Sequence, residues 1–187
     1  MSRRPRQKTK RQCKIDNRVQ RDRAIVYWLT PAKAERELFC EIVRILAKQL
    51  DAPRFEPHLT LCLAPDRQSL SKVLRRIKLS PIRLRVRGLS CSAEFTKTLF
   101  VRFKSSRALK ELIVDLGGEA KSLRDPHVSL LYKRIPARLK KELTSTIKLP
   151  FREVVFDSIK AVRCASPTKT RADIESWRVI ATKRLSG

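Results

Sequence analysis

The chain has 187 residues, 42% of them apolar, which is enough for one domain or a compact two-lobed unit with a real core. Lys and Arg number 44 against 18 acids, a net charge of +26 that points to a polyanionic partner, nucleic acid before an anionic membrane surface. The five cysteines (Cys13, Cys40, Cys62, Cys91, Cys164) are scattered, with no CxxC pair and none at metal-ligand spacing from a histidine. That argues against a zinc site or disulfide framework. No apolar run is long enough for a transmembrane helix, and no secretory signal follows the charged start. The chain reads as soluble and cytoplasmic.

Residues 1–23 hold ten Lys/Arg, two acids and almost nothing to bury, so they read as a flexible basic arm. The arm either grips RNA phosphates or is a solvated tail. Residues 24–187 read as a single bilobal domain. Ala24 to Leu29 is a short β-branched and aromatic run, a buried strand ended by Thr30-Pro31. From Pro31 to Leu50 the period becomes helical, with Leu38, Phe39, Ile42, Val43, Leu46 and Leu50 on one stripe and Pro31 in the first turn. A strand over 57–63 follows, then a helix marked by Leu70, Val73, Leu74 and Ile77. Ile82 to Arg87 alternates strictly, a strand with Arg83, Arg85 and Arg87 toward solvent. A further strand over 98–104 completes a hairpin.

The same order then returns. Ser105-Ser106 caps a helix with Leu109, Leu112, Ile113 and Leu116 inward, and Gly117-Gly118 ends it. A strand over 127–132, a helix over 136–147 and two closing strands near 152–164 and 177–183 complete the chain. A polar loop around Pro167 joins the last two. Each half therefore reads strand, helix, strand, helix, strand. The expected fold is α+β, two pseudo-symmetric lobes of antiparallel sheet backed by helices, with a central cleft.

One phrase occurs twice, at matching places in the halves. Pro57-His58-Leu59-Thr60-Leu61 returns as Pro126-His127-Val128-Ser129-Leu130, and these are the only two histidines. On a strand, each histidine and the hydroxyl two residues later share a face. A lone histidine in an apolar strand is usually a satisfied core residue, but two copies that use every histidine in the chain point to function. Imidazole titrates near neutrality, so one neutral and one protonated ring serve as base and acid. No Ser-His-Asp arrangement, phosphate-binding glycine loop or magnesium-binding carboxylate cluster competes with them. Metal-free acid–base chemistry at an anionic centre is what remains, with Thr60 and Ser129 as hydrogen-bond donors to its oxygens, and a phosphodiester fits.

These phrases resemble those of the two-histidine (2H) phosphoesterase superfamily, which includes RNA cyclic phosphodiesterases and 2′–5′ RNA ligase-like proteins. The similarity is strongest to the cyclic phosphodiesterase branch. It runs through Trp28-Leu29-Thr30-Pro31, Phe55-Glu56-Pro57-His58-Leu59-Thr60-Leu61 and Pro126-His127-Val128-Ser129-Leu130-Leu131-Tyr132. Where that branch continues with Gly and an acid, this chain has Lys133-Arg134, two charges expected beside the cleft mouth.

The resemblance implies opening of a 2′,3′-cyclic phosphate on an RNA end or a nucleotide, ADP-ribose cyclic phosphate included. It implies no cofactor and no metal. His58, Thr60, His127 and Ser129 would be the catalytic residues, and Tyr132 and Trp28 would contact substrate; Lys133, where the chain departs from the branch, is expected to contact substrate through its charge. The two aromatic rings fit base stacking and core packing equally. Either histidine fits the role of base. A binder of phosphate ends without turnover and a 2′–5′ RNA ligase are the alternatives. The protein is expected to act as a monomer on RNA or a nucleotide, away from membranes.

Overall fold

The computed structural model describes residues 23–64, 70–121 and 123–186. The basic arm thus lies outside the described residues except for Arg23, which opens the first strand. In chain order the elements are β1 (Arg23–Pro31), α1 (Lys33–Leu50), β2 (Leu59–Leu63), α2 (Leu70–Arg76), β3 (Ile82–Cys91), a 3-10 turn (Phe95–Lys97), β4 (Leu99–Phe103) and α3 (Arg107–Asp115). β5 (His127–Leu131), α4 (Ala137–Thr146), β6 (Glu153–Ala165), α5 (Arg171–Glu175) and β7 (Arg178–Arg184) follow.

All strand pairs are antiparallel, in the order β2-β1-β6-β3-β4-β5, with β7 added to β6. Exchanging β1 with β4, β2 with β5 and β3 with β6 reads this order backwards. The duplication is therefore a pseudo-two-fold relation whose axis passes between β3 and β6. The expected α+β fold of two related antiparallel halves is present, and the halves are joined through β3 and β6. β3 pairs with β6 over Ile82–Arg85 and with β4 from Val86 onward, so one hydrogen-bonded surface runs through both halves. β2 and β5, at opposite ends of the strand order, pack against each other. The surface is thus folded back on itself, and the two histidine segments meet.

One apolar core fills the fold. Tyr27 and Leu29 of β1, Leu84 of β3, Val101 and Phe103 of β4, and Val154 and Phe156 of β6 are buried in it with Phe39 of α1. Leu109, Leu112 and Ile113 of α3 are completely buried, as their spacing predicts. Each such side chain contributes about 1.5–3 kcal/mol by leaving water. Ser106 caps α3 by accepting from the Leu109 N–H. Beyond α3, Gly118 lies against β2 so closely that an added Cβ would sit 2.7 Å from Cys62 Cβ. Only glycine lets this turn approach β2 so closely.

Three sequence expectations are corrected here. Pro31 is the last residue of β1 and not in the first turn of α1; it lies opposite Phe156 after an irregularity in the register. Having no N–H to give, it suits the end of a strand. His58 lies one residue before β2 instead of on it. The loop between the closing strands contains α5, started by a capping box in which Thr170 and Asp173 satisfy each other's backbone N–H groups. No helix among the described residues is long and apolar enough to cross a membrane.

Candidate active site

Alternation decides where the twin phrase points. Leu59 and Leu61 of β2, and Val128 and Leu130 of β5, enter the core. The intervening residues, His58 with Thr60 and His127 with Ser129, face the opposite side of the sheet. Each imidazole is oriented in the same way. His58 Nδ1 lies 2.7 Å from the Glu56 carbonyl and His127 Nδ1 lies 2.8 Å from the Asp125 carbonyl, in both cases two residues upstream. A carbonyl only accepts, so Nδ1 carries the proton in both rings and Nε2 keeps its lone pair.

The residues that supply these carbonyls are themselves clamped by cations. The Glu56 carboxylate takes two hydrogen bonds from Lys160 of β6, at 2.5 and 2.7 Å. The Asp125 carboxylate takes one from Lys97 at 2.8 Å and one from Arg102 at 2.9 Å. Burial alone would raise the Asp125 carboxyl, but the bonds from Lys97 and Arg102 hold it below the usual carboxylate value. So each half has the same device: an acid fixed by a lysine or arginine, whose backbone carbonyl aims a histidine.

Aromatic rings wall the two imidazoles unequally. Trp28 is the register partner of Thr60 and stacks on His58 with centroids 3.6 Å apart and planes 8° apart. Phe100, the register partner of Ser129, meets His127 edge-on at 5.2 Å. Trp177 also closes on His58, at 5.6 Å. His58 is in consequence only 4% exposed, and His127 is half-buried. Burial pushes His58 down to about 4, opposed by the bond to Glu56 and assisted by the positive charges of His127 and Lys160. His127 is also lowered by burial, but the Asp125 carbonyl and the charges of Asp125 and Glu94 pull it back. The two rings are close enough to feel each other's charge.

Solved structures share this arrangement of elements. LigT from E. coli, complexed with 3′-AMP, matches with a TM-score of 0.53 and 16% identity, covering 88% of this chain and 99% of LigT. A crystal structure of a phosphoesterase matches at 0.53 and 14% over 88% and 99%. TT0787 of Thermus thermophilus matches at 0.55 and 19% over 88% and 98%. The chain has the fold of LigT and of this phosphoesterase. No family model and no curated protein matches the chain. LigT has also been solved with phosphate, ATP and NADP+.

On this fold the sequence-picked residues separate into two groups. His58, Thr60, His127 and Ser129 share the sheet face away from the core. Thr60 is exposed there, whereas Ser129 is buried, with its hydroxyl donating to the Thr96 carbonyl at 2.8 Å and close to the Tyr132 phenol. Trp28 and Tyr132 are only 4% and 5% exposed. Trp28 has one face on His58, and Tyr132 stacks on Phe55 at 4.0 Å. Both rings wall the site. Lys133 has partners of its own. Its ammonium donates to the Leu50 and Asp51 carbonyls at 2.5 and 3.0 Å, the C-terminal end of α1, where cations offset the helix dipole.

Sequence reasoning missed Trp177, Lys160, Lys97, Arg102 and the two acids. The acids had a readable signal: both copies of the phrase extend backwards to acid-Pro-His. Trp177 had none, because its place depends on β7 returning beside β6.

The burial of His58 has a measurable consequence for stability. Its folded-state value of about 4 lies below the ordinary 6.5. The stability tied to the neutral ring is therefore complete above about pH 6.5 and is lost as pH falls through 4. The loss is about 3 kcal/mol. Between pH 7 and 4, urea unfolding should show the native protein losing about that much more stability than His58→Gln. Equal losses would mean that the ring is not held neutral.

Proposed function

We propose that the chain is a metal-independent phosphodiesterase that opens a 2′,3′-cyclic phosphate at an RNA end or on a nucleotide, ADP-ribose cyclic phosphate included. The observation that carries this reading is the pair of carbonyl-anchored imidazoles, each with Nε2 left for chemistry and each followed by a hydroxyl on the same face. Water attacks phosphorus as one Nε2 takes its proton. The bond from phosphorus to one ribose oxygen breaks, and the other imidazolium gives that oxygen its proton. Thr60 and Ser129 donate to the non-bridging oxygens. For this, the Ser129 hydroxyl turns its hydrogen away from Thr96, whereas exposed Thr60 is already accessible. The reverse reaction, with the histidine roles exchanged, would be ligation.

Both halves of the site come from one chain, which supports a monomer. Among the described residues Cys40, Cys62, Cys91 and Cys164 are free thiols, which supports a cytoplasmic setting. The test is incubation in excess EDTA with cyclic mononucleotides, cyclic-ended oligoribonucleotides and ADP-ribose cyclic phosphate, with products resolved by isomer. Ring opening is expected; turnover only on added metal, or phosphate-end binding with no turnover, would overturn the reading. The reaction needs one neutral and one protonated imidazole, and both pKa values lie below the ordinary 6.5. The kcat/KM profile should therefore be bell-shaped, with its maximum on the acid side of neutrality and an alkaline limb that begins below pH 7. A rate still rising above pH 7 would remove the histidines from these roles.

A further inference from the structure

The pseudo-two-fold relation is broken at one place. The outer edge of β6 is covered by β7 over Ser158–Arg163. The equivalent edge of β3, from Arg87 to Cys91, has no strand beside it among the described residues. It opens onto a groove of about 1030 Å³ whose far wall is the end of α4 and the linker into β6. Val86, Leu149 and Phe151 form part of its lining, and all three pack on the core. Arg85, Arg87, Lys104, Lys148 and Arg152 also line it, against one acid, Glu153, which is 3.4 Å from Arg85.

The groove is connected to the histidines through the sheet. Gly88 in the groove is the register partner of Arg102, and Arg102 is the register partner of His127. These are adjacent strands, so the groove edge lies two strand spacings, about 10 Å, from His127. Paired residues share a face, which places Arg102 between the groove and the site. Arg102, its guanidinium on Asp125, is thus the one β4 position between Gly88 of the groove and His127.

We infer that this groove holds the sugar–phosphate backbone of a single-stranded RNA whose cyclic phosphate end lies between the histidines. The inference rests on the proposed reaction and sharpens its substrate to an RNA end in preference to a free nucleotide. A polymer whose end enters the cleft must leave across a neighbouring surface, and a cationic groove with apolar lining suits single-stranded nucleic acid. An acidic peptide would find the same charge, but nothing would tie it to a groove two strands from a phosphate-handling site.

The test uses the full chain and the variant Arg87→Gln/Lys148→Gln/Arg152→Gln, whose three positions are all exposed. With a cyclic-ended oligoribonucleotide of about a dozen nucleotides, KM should rise roughly tenfold or more at unchanged kcat, and the salt slope should shrink by up to about 2. Kinetics on a cyclic mononucleotide should not change. An unchanged oligonucleotide KM would overturn the groove assignment while leaving the reaction intact. If neither substrate turns over with the native protein, the reaction itself fails, and anisotropy with the labelled oligonucleotide then decides the groove alone. A loss of affinity in the variant supports it, and equal affinity overturns it. An oligoglutamate peptide that displaces the RNA at comparable concentration would also overturn the assignment, since the groove would then take acidic chains without regard to ribose.

Discussion

His58→Ala and His127→Ala are each expected to lower kcat/KM on a cyclic mononucleotide by roughly 10²–10⁴-fold, the range of a general acid or base. The double variant should lose little more than either single one. A proton taken by one ring is useful only if the other delivers one, and groups that act as a unit are strongly non-additive. His58→Gln controls for damage to packing, because His58 is almost fully buried and its removal leaves the Glu56 carbonyl without its partner. Folding is checked by circular dichroism. Near-native activity in either alanine variant, with the fold intact, would end the two-histidine mechanism. Losses that multiply in the double variant would mean that the rings act independently.

Most of the architecture was legible because local and global signals agree in this chain. The period of α1, the Ser106 cap and Gly117-Gly118 at the end of α3 are local chemistry, and each stands where the spacing puts it. The duplication was legible because it is written in element order. That the two halves are joined through β3 and β6 was not, since strand adjacency depends on pairings between residues about 70 positions apart, such as Arg85 with Glu153. The helix α5 was missed although Thr170 and Asp173 spell its capping box, because the surrounding Pro167 and threonines read as loop.

The site shows the same division. A repeated Pro-His-x-[Thr/Ser] reveals which side chains share a face, since that follows from alternation alone. It says nothing about what each ring is packed against. Trp28, Phe100 and Trp177 come from three different strands or their flanks, and they cover the two imidazoles unequally. Lys133 shows the same limit: standing next to the motif in sequence says nothing of its partners, which are carbonyls at the end of α1. The clamps are intermediate: acid-Pro-His was visible in both copies, whereas Lys160 and Arg102 were brought to it only by pairing.

Removing the Trp28 ring should change both stability and titration. Trp28 is 4% exposed, and its indole covers a face of His58 at 3.6 Å. Trp28→Ala should cost about 3–5 kcal/mol, in the range of large aromatic truncations. The opened space admits water to the imidazole, and the desolvation that holds His58 near 4 is relieved. The His58 value should climb toward 6.5, which moves the acid limb of kcat/KM upward and narrows the bell. Because the chain has only two histidines, proton NMR follows both rings directly, with His127→Gln to tell them apart. Trp28→Phe keeps part of the cover and should give a smaller shift of the same sign, which preserves the test if the alanine variant does not fold. The His127 resonance should move much less, since its aromatic neighbour is Phe100. A His58 resonance that titrates at the same pH in every Trp28 variant would show that something other than this stack keeps the ring neutral.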